Sequence, residues 1–356
     1  MTTTAQLAVL RPDSTEFSIE DVELPDPGPG QVLVRNHGAG ICHSQLHEIR
    51  AERTRTYLMG HEGCGEVIAV GPDVSLVRPG QSVSVTWVPR PGESTPWRAG
   101  VTLPGGEYAT TDEMVFTWGT HSLLDQRYVV PIPAAVATDA AAVLGCAVLT
   151  GASAVVRAAG VPSGASVVVW GAGGVGLSAM AAARRSGAGP IVAVDLSREK
   201  LELARRFGAT HVVDVAEPDV LDTVLEVTTR AGRPAGADFV FDCVASEQTL
   251  GAALATVRRG ELGGSRGGTL VVVGVAKPGV GIPARDLLIG QKTATASLGV
   301  PADTGVELPR LAQWCVDGDI NLDALVTDRY PLRDINRGIA DLAAGRVRGR
   351  AVLSFT

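Results

Sequence analysis

The chain has 356 residues, which is more than a single hydrophobic core usually serves, so two domains are expected. Apolar residues make up 45% of it and charged residues 19%, a composition that excludes an intrinsically disordered protein. The net charge is −7, and no large cluster of Lys and Arg is present. This balance argues against a nucleic-acid partner, because binding to nucleic acid depends on cations that neutralise phosphates.

The amino terminus carries no recognisable export signal. Met1–Arg11 lacks a charged start followed by an apolar core, and no apolar run reaches roughly 18 residues without a helix breaker. We therefore expect a cytoplasmic protein that does not associate with membranes. The five cysteines are an odd number in a chain too large to need disulfide bonds, so they are expected to be reduced thiols or metal ligands.

The first 135 residues are rich in Gly and Pro and contain short runs with the composition of β-strands. Examples are Gln31–Val34, Glu66–Val70 and Ser82–Val88. This pattern predicts a compact and mostly antiparallel β domain.

From about Asp139 the composition changes to Ala-rich helical stretches that alternate with short apolar runs. The predicted strands are Ser166–Trp170, Ile191–Val194, Phe239–Phe241 and Thr269–Val273. The predicted helices are Leu177–Arg185, Arg198–Phe207, Val220–Thr228 and Leu250–Val257. Repeated strand-helix-strand order predicts a doubly wound α/β domain, and the mixed sequence after Val300 is expected to return to the first domain.

A glycine-rich hexapeptide, Gly171-Ala172-Gly173-Gly174-Val175-Gly176, follows the first of these predicted strands directly. Gly171 would form the tight turn, Gly173 would let the backbone approach a pyrophosphate, and Gly176 would let the following helix pack close to the strand. The next strand leads into Asp195, whose carboxylate would accept hydrogen bonds from the adenosine ribose and would repel a 2′-phosphate. NAD is therefore favoured over NADP. The alternative is an ordinary glycine turn, with Asp195 capping the next helix.

Two cysteines and one histidine are candidate metal ligands. Cys42 and His61 lie in the β domain, and Cys146 lies near the start of the α/β region. Thiolate and imidazole are suitable zinc donors, and three protein ligands leave a fourth position for a substrate oxygen, which zinc would polarise as a Lewis acid. Taken singly, each cysteine is better explained as a small buried apolar residue than as a ligand.

Several sequence elements, in the same order along nearly the whole chain, resemble the zinc alcohol dehydrogenases of the medium-chain dehydrogenase/reductase superfamily. The matching elements are Gly60–Glu62, Gly145–Gly151, Gly171–Gly176, Asp195 with Lys200, Val271–Val275 and Arg350–Leu353. The resemblance implies a GroES-like catalytic domain at 1–147 and 299–356 and an NAD-binding Rossmann domain at 148–298. It also implies a homodimer or homotetramer, with contact through a sheet edge near Val271–Val275.

The resemblance assigns roles to residues around the metal. It implies that Cys42, His61 and Cys146 bind a catalytic zinc ion and that Glu62 lies behind the metal, coordinating it transiently. Ser44 would contact the substrate oxygen, and the alcohol proton would pass through the cofactor ribose to His47. Such a relay suits alcohol oxidation, because that reaction removes a proton from oxygen as well as a hydride from carbon.

Further cofactor contacts follow from the resemblance alone. Thr150 corresponds to a residue beside the nicotinamide and Lys200 to a contact with the adenosine ribose. His43 and Arg350 correspond to residues that face the pyrophosphate. For Lys200, His43 and Arg350, a solvated surface charge is the competing interpretation.

The sequence departs from the family in two places. Many members hold a structural zinc with four cysteines, but the corresponding stretch Pro89–Trp118 contains none, so one zinc per chain is expected. That lobe would either be held by packing, with Trp97 or Trp118 as candidates, or be mobile. The second departure is Gln45, because the family usually has an aspartate there that orients the zinc-binding histidine; an altered zinc affinity is expected.

The function expected from these features is hydride transfer between NAD(H) and a small alcohol, aldehyde or ketone. The alternative enzyme is a reductase of C=C or C=N bonds with the same fold and a modified or absent zinc role. A non-catalytic NAD-binding protein is the alternative from a different class. The three other cysteines, Cys64, Cys243 and Cys315, are expected to be packed residues without a catalytic role.

Overall fold

The computed structural model describes residues 2–92, 99–112, 114–136, 138–230, 232–299 and 303–355. The chain divides into two compact units. Met1–Cys146 and Ala302–Thr356 form what we call the discontinuous unit, and Ala147–Pro301 forms the continuous unit.

The strands lie in both units and are numbered in chain order. They are β1 (Thr3–Leu10), β2 (Phe17–Leu24), β3 (Gln31–Ile41), β4 (Tyr57–Leu58), β5 (Gly63–Val70), β6 (Ser82–Val85), β7 (Gly100–Thr102), β8 (Tyr108–Thr110), β9 (His121–Asp125), β10 (Val129–Pro131), β11 (Val167–Trp170), β12 (Ile191–Asp195), β13 (His211–Asp214), β14 (Phe239–Asp242), β15 (Thr269–Val272), β16 (Thr293–Ala296), β17 (Val326–Pro331) and β18 (Arg350–Ser354).

The helices are numbered in the same way. They are α1 (Gln45–Arg50), α2 (Ala147–Ser153), α3 (Gly174–Arg185), α4 (Arg198–Arg206), α5 (Val220–Thr228), α6 (Glu247–Thr256), α7 (Ala284–Gly290), α8 (Thr304–Val316), α9 (Leu322–Leu325) and α10 (Ile335–Ala343). Short 3-10 turns cover Gln126–Tyr128, Ala134–Val136, Asp139–Gly145 and Leu332–Asp334, and a π-helical segment covers Ala154–Ala159. No single helix in the described ranges is both long and apolar enough to cross a bilayer, although the bent pair Asp139–Gly145 and Ala147–Ala159 passes by length and composition.

Two sheets with mostly antiparallel pairing form the discontinuous unit. One has the order β2-β1-β4-β8-β7, and the other has the order β10-β6-β5-β3-β18-β17, with β9 also paired to β3. Strand β3 is buried along most of its length because β5, β9 and β18 all pair with it. Trp118 is buried in the core beside Phe17, and its ring nitrogen donates to Gly40 O at 3.0 Å. Trp118 therefore packs in the core of the discontinuous unit, whereas Trp97 lies outside the described residues.

A six-stranded parallel sheet forms the centre of the continuous unit. Its order is β13-β12-β11-β14-β15-β16, which is the order of a dinucleotide-binding Rossmann sheet. All four residues of β11 are buried, as the run of β-branched residues predicts. The predicted two-domain fold, a mostly β domain joined to a doubly wound parallel domain, is confirmed.

The position of the sheet edge corrects one expectation. The edge was expected near Val271–Val275, but the predicted strand Thr269–Val273 (β15, which ends at Val272) pairs with β16 on its outer side, so β16 is the edge of the described sheet. Strand β16 has the weakly apolar sequence Thr-Ala-Thr-Ala, and its residues are mostly exposed. It was not predicted because it contains no apolar run. Strand β13 escaped prediction for a similar reason, because only its two valines are apolar.

Candidate metal centre and dinucleotide site

Four potential metal ligands converge inside the discontinuous unit. One ligand atom from each of Cys42, His61, Glu62 and Cys146 lies within 4.8 Å of all the others. All four side chains are buried, and the two sulfurs are 4.0 Å apart. The structure therefore brings together the three predicted ligands and the predicted carboxylate behind them.

Strand pairing brings Cys42 close to His61 and Glu62. Cys42 follows the end of β3, and the two other residues directly precede β5, which is antiparallel to β3. Gly60 allows the turn into β5, because its φ is +102° and a Cβ there would lie 2.5 Å from Thr117 Oγ1. The glycine of the Gly-His-Glu element thus has a steric role in aiming the two side chains.

Cys146 reaches the same place from a 3-10 turn that packs against β6. A Cβ on Gly145 would lie 2.0 Å from Val85 O, so only glycine permits this approach. Thr86 Oγ1 donates to Gly145 O at 2.7 Å and fixes the turn. The element Gly145-Cys146 therefore fixes the position of the sulfur through backbone contacts.

The electrostatic environment favours a thiolate at Cys42. A hydrogen bond from the Cys146 thiol, aided by the positive charges of Arg350 and His61, lowers the pKa of Cys42 although burial opposes the shift. The thiolate is the form of cysteine that binds metals. Two sulfurs, an imidazole and a nearby carboxylate in a buried pocket fit a zinc ion by ligand type and number.

A buried ion pair behind these ligands was not predicted. Arg350, at the start of β18, forms an ion pair with Glu62, and the two side chains are 6% and 0% exposed. β18 is antiparallel to β3, with Ala351 opposite Ile41, which places Arg350 beside the ligand pocket. The alternative interpretation of Arg350 as a solvated surface charge is therefore wrong, and its contact with a pyrophosphate stays a prediction.

Helix α1 follows Cys42 closely, and Ser44 is the residue that precedes its first turn. Ser44 Oγ lies 3.2 Å from Cys42 Sγ, which places this hydroxyl beside the ligand cluster. His43 and His47 are exposed, and their rings are 6.3 Å apart in an edge-to-face arrangement. The structure places Gln45 in full burial with Oε1 accepting from the Cys42 backbone N–H at 3.1 Å, so its amide oxygen supports Cys42.

The three cysteines that were expected to be packed residues are not members of the ligand cluster found among the described residues. Cys64 is buried on β5 and its thiol donates to Thr138 O at 3.0 Å, while burial raises its pKa. Cys315 lies in α8, and Cys243 directly follows β14 instead of lying within it. Burial also raises the pKa of both.

In the continuous unit the glycine-rich turn joins β11 to α3. Gly171 has a φ of +92°, and a Cβ on Gly176 would lie 1.9 Å from Gly171 O. A Cβ on Gly173 would meet no atom within 4 Å, so the space in front of this backbone is open. Helix α3 begins at Gly174, and the amino end of a helix favours an anion.

Asp195 ends β12 beside this turn. One carboxylate oxygen accepts from Ala172 N at 2.7 Å and the other from Ser197 N at 2.9 Å. The N-cap of α4 is Ser197, whose side chain accepts from the backbone N–H of Lys200, and the Lys200 side chain is partly exposed. The alternative that Asp195 itself caps this helix is therefore wrong.

Helix α2 packs directly on the first turn of α3. A Cβ on Gly151 would lie 2.2 Å from Val175 O, so this glycine permits the close contact. Thr150, the preceding residue, is 9% exposed. The close contact at Gly151 thus fixes α2, and with it Thr150, relative to the dinucleotide turn.

Asp242 is a supporting residue that the sequence interpretation missed. Its buried carboxylate accepts from Val244 N at 2.9 Å and Ala245 N at 2.8 Å, and its backbone oxygen accepts from Gly274 N at 2.9 Å. Val244 in turn packs over Gly171, where a Cβ would lie 2.6 Å from its Cγ2. Burial raises the pKa of Asp242. A lone aspartate at a strand end carried no signal of this role.

Comparison with known proteins agrees with this geometry. The family described as "Zinc-binding dehydrogenase" matches residues 174–314, and the family described as "Alcohol dehydrogenase GroES-like domain" matches residues 28–134.

Individual relatives match over nearly their full length. The chain is 31% identical to an NDMA-dependent alcohol dehydrogenase of Amycolatopsis methanolica, over 96% of this chain and 97% of that protein. It is 31% identical to an S-(hydroxymethyl)glutathione dehydrogenase of Paracoccus denitrificans, with 92% and 94% covered. The crystal structure of an alcohol dehydrogenase zinc-binding domain protein from Burkholderia ambifaria matches with a TM-score of 0.90 and 28% identity, and both chains are covered completely. The chain therefore belongs to the zinc-dependent alcohol dehydrogenases of the medium-chain dehydrogenase/reductase superfamily.

Proposed function

We propose that the chain is an alcohol dehydrogenase that exchanges hydride between NAD(H) and a small alcohol, aldehyde or ketone, and that it uses one zinc ion per chain. The observation that carries the proposal is the convergence of Cys42, His61 and Cys146 within one buried pocket. Zinc held by these residues supplies Lewis-acid polarisation of the substrate oxygen, and NAD(H) supplies the hydride exchange.

The chain's own residues have distinct roles in this proposal. Cys42 and Cys146 bind the metal as thiolates, and His61 completes the set of three. The buried pair Arg350–Glu62 fixes the carboxylate behind these ligands. Ser44, whose hydroxyl lies beside Cys42, would receive the alcohol proton and pass it towards His47.

The direct test measures NADH formation with a panel of alcohols alongside the zinc content of the purified protein. We expect alcohol-dependent NADH formation and about one zinc per chain. A fully active protein without zinc would refute the proposal. Activity only towards activated C=C or C=N bonds would identify the reductase alternative instead.

Replacement of Asp195 by alanine is expected to shift the cofactor preference from NAD towards NADP. The carboxylate would lose its hydrogen bonds to the adenosine ribose and its repulsion of a 2′-phosphate. The loss of charged hydrogen bonds predicts a fall in kcat/KM for NAD of roughly 10- to 100-fold. Steady-state kinetics with both cofactors measure the ratio, and Asp195→Asn separates the effect of charge from that of hydrogen bonding. An unchanged ratio in both variants would remove this assignment.

Replacement of His47 by glutamine is expected to slow alcohol oxidation by roughly 100-fold, because general-base assistance typically contributes at least this factor. The rate of alcohol oxidation is compared with that of the unmodified enzyme across a range of pH, because His47 is assigned to the removal of the alcohol proton. His211→Gln, at an exposed histidine on β13 of the other unit, is the matched control. A pH–rate profile of His47→Gln that superimposes on the unmodified enzyme would remove His47 from the relay.

His43, Thr150, Lys200 and Arg350 are proposed as further cofactor contacts on the basis of family membership. We also propose a homodimer or homotetramer that forms through the exposed edge strand β16. A cytoplasmic location remains a prediction from the sequence. Light scattering of the purified protein measures the assembly, and a monomer at working concentration would contradict it.

A further inference from the structure

A second concave site lies in the continuous unit, at the amino ends of the parallel strands. It has a volume of about 420 Å³, within the usual range of small-ligand pockets. Its walls include Phe239 and Thr269, the first residues of the neighbouring strands β14 and β15, and Ala165, which lies two residues before β11. The dinucleotide turn follows the carboxyl end of β11, so the two sites lie at opposite ends of the parallel strands.

Three arginines and one carboxylate line this cavity. They are Arg230, Arg233, Arg258 and Asp238. Arg233 and Arg258 share Asp238, at 3.2 and 3.1 Å. Arg230 donates instead to two backbone carbonyls, those of Gly164 and Gly189. The lining therefore carries three positive charges and one negative charge.

The single carboxylate is fully engaged by its neighbours. One oxygen of Asp238 accepts a hydrogen bond from Arg258 Nε at 3.1 Å and forms an ion pair with Arg233. The other oxygen accepts from both the backbone N–H and the hydroxyl of Ser166 at 3.1 Å. The charge of Asp238 is thus neutralised by its partners, while the Arg230 guanidinium donates to the uncharged carbonyl oxygens of Gly164 and Gly189. Arg233 is 44% exposed, so part of its guanidinium remains accessible. A concave wall with a net positive charge attracts anions. This positive charge contrasts with the net charge of −7 of the whole chain.

We propose that this cavity is a binding site for a phosphate-bearing small molecule, and that Arg230 and Arg233 hold its phosphate. Guanidinium groups bind phosphate oxygens through paired N–H donors, and a phosphate dianion would balance the two excess positive charges. The cavity is larger than the phosphate group requires, so a phosphomonoester of the size of a hexose phosphate fits the available volume. The proposal does not depend on the zinc site or on the alcohol dehydrogenase reaction.

The test is calorimetric titration of the zinc-loaded protein at constant ionic strength, with NAD kept saturating so that its own pyrophosphate site is occupied. The probes are inorganic phosphate, a hexose monophosphate and the same hexose without phosphate. We expect both phosphates to bind, the hexose phosphate more tightly, and the free hexose not to bind. Equal affinity for the two phosphates would identify the inorganic ion as the ligand and would overturn the phosphomonoester assignment.

Two variants locate the binding site. Arg233→Gln leaves Asp238 held by Arg258 and Ser166, so it should fold and bind phosphate roughly tenfold or more weakly. Arg230→Gln should weaken binding to a similar extent. Arg205→Gln, at an exposed arginine of α4 in the same unit, is the matched control and should keep the original affinity. Unchanged binding in both cavity variants, or no binding to the unmodified protein beyond that of chloride, would overturn the proposal.

Discussion

Replacement of Cys146 by alanine is expected to abolish zinc retention and to lower kcat/KM for alcohol oxidation by about 10³-fold or more. The side chain supplies one of the two sulfurs in the ligand cluster of the described residues, 4.0 Å from Cys42 Sγ. Lewis-acid stabilisation is worth several kcal/mol, and each 1.36 kcal/mol corresponds to tenfold in rate, which gives this order of magnitude. Zinc per chain is measured by elemental analysis, and the rate is measured by NADH absorbance.

Cys64→Ala is the matched control for this experiment. Cys64 is also buried in the discontinuous unit, but its thiol donates to Thr138 O and lies outside the ligand cluster. This variant should therefore keep one zinc per chain and most of the activity, even if removing the buried sulfur costs some stability. A Cys146→Ala protein that keeps both zinc and activity would contradict the ligand assignment.

Replacement of Arg350 by methionine is expected to destabilise the metal-free protein by roughly 3–5 kcal/mol, because it leaves the buried Glu62 carboxylate without its charge partner. Methionine keeps much of the side-chain volume, so the loss should come mainly from the uncompensated charge. Urea unfolding of the metal-free protein measures the change and separates it from any loss of zinc.

Two further variants test this explanation. The double variant Glu62→Gln/Arg350→Met removes both charges and should regain part of the lost stability. Arg35→Met breaks the exposed pair Arg35–Glu66 between β3 and β5, where the side chains are 53% and 35% exposed, and should cost about 1 kcal/mol or less. If Arg350→Met and Arg35→Met proved equally mild, the buried pair would have no special energetic role.

The sequence predicted the parts of the fold that depend on local pattern. Runs of β-branched residues marked the buried strands β11, β12, β14 and β15 within a residue or two of their ends. The edge strand β16 was missed because its exposed Thr-Ala repeat has no apolar signature, and the edge of the sheet was therefore expected one strand further inside, near Val271–Val275.

For the site, residue types and family resemblance identified Cys42, His61, Glu62 and Cys146, which the structure brings together. The partners of these residues depend on pairings between distant strands. The contact of Arg350 with Glu62 follows from the register of β18 on β3, and no local pattern specifies that register. The contact of Gln45 with the Cys42 backbone depends on the side-chain conformation of Gln45, which cannot be predicted from a sequence pattern.

The insertion of β18 between β3 and β17 has a consequence for biosynthesis. The continuous unit is a single stretch of chain, so all its strands are available once residue 301 has left the ribosome. The larger sheet of the discontinuous unit lacks an interior strand until residue 354 has emerged, and Glu62 lacks its cation for the same interval. A nascent chain therefore exposes the edge of β3 to unwanted strand pairing during this interval, while the continuous unit can already fold. The metal pocket is completed last.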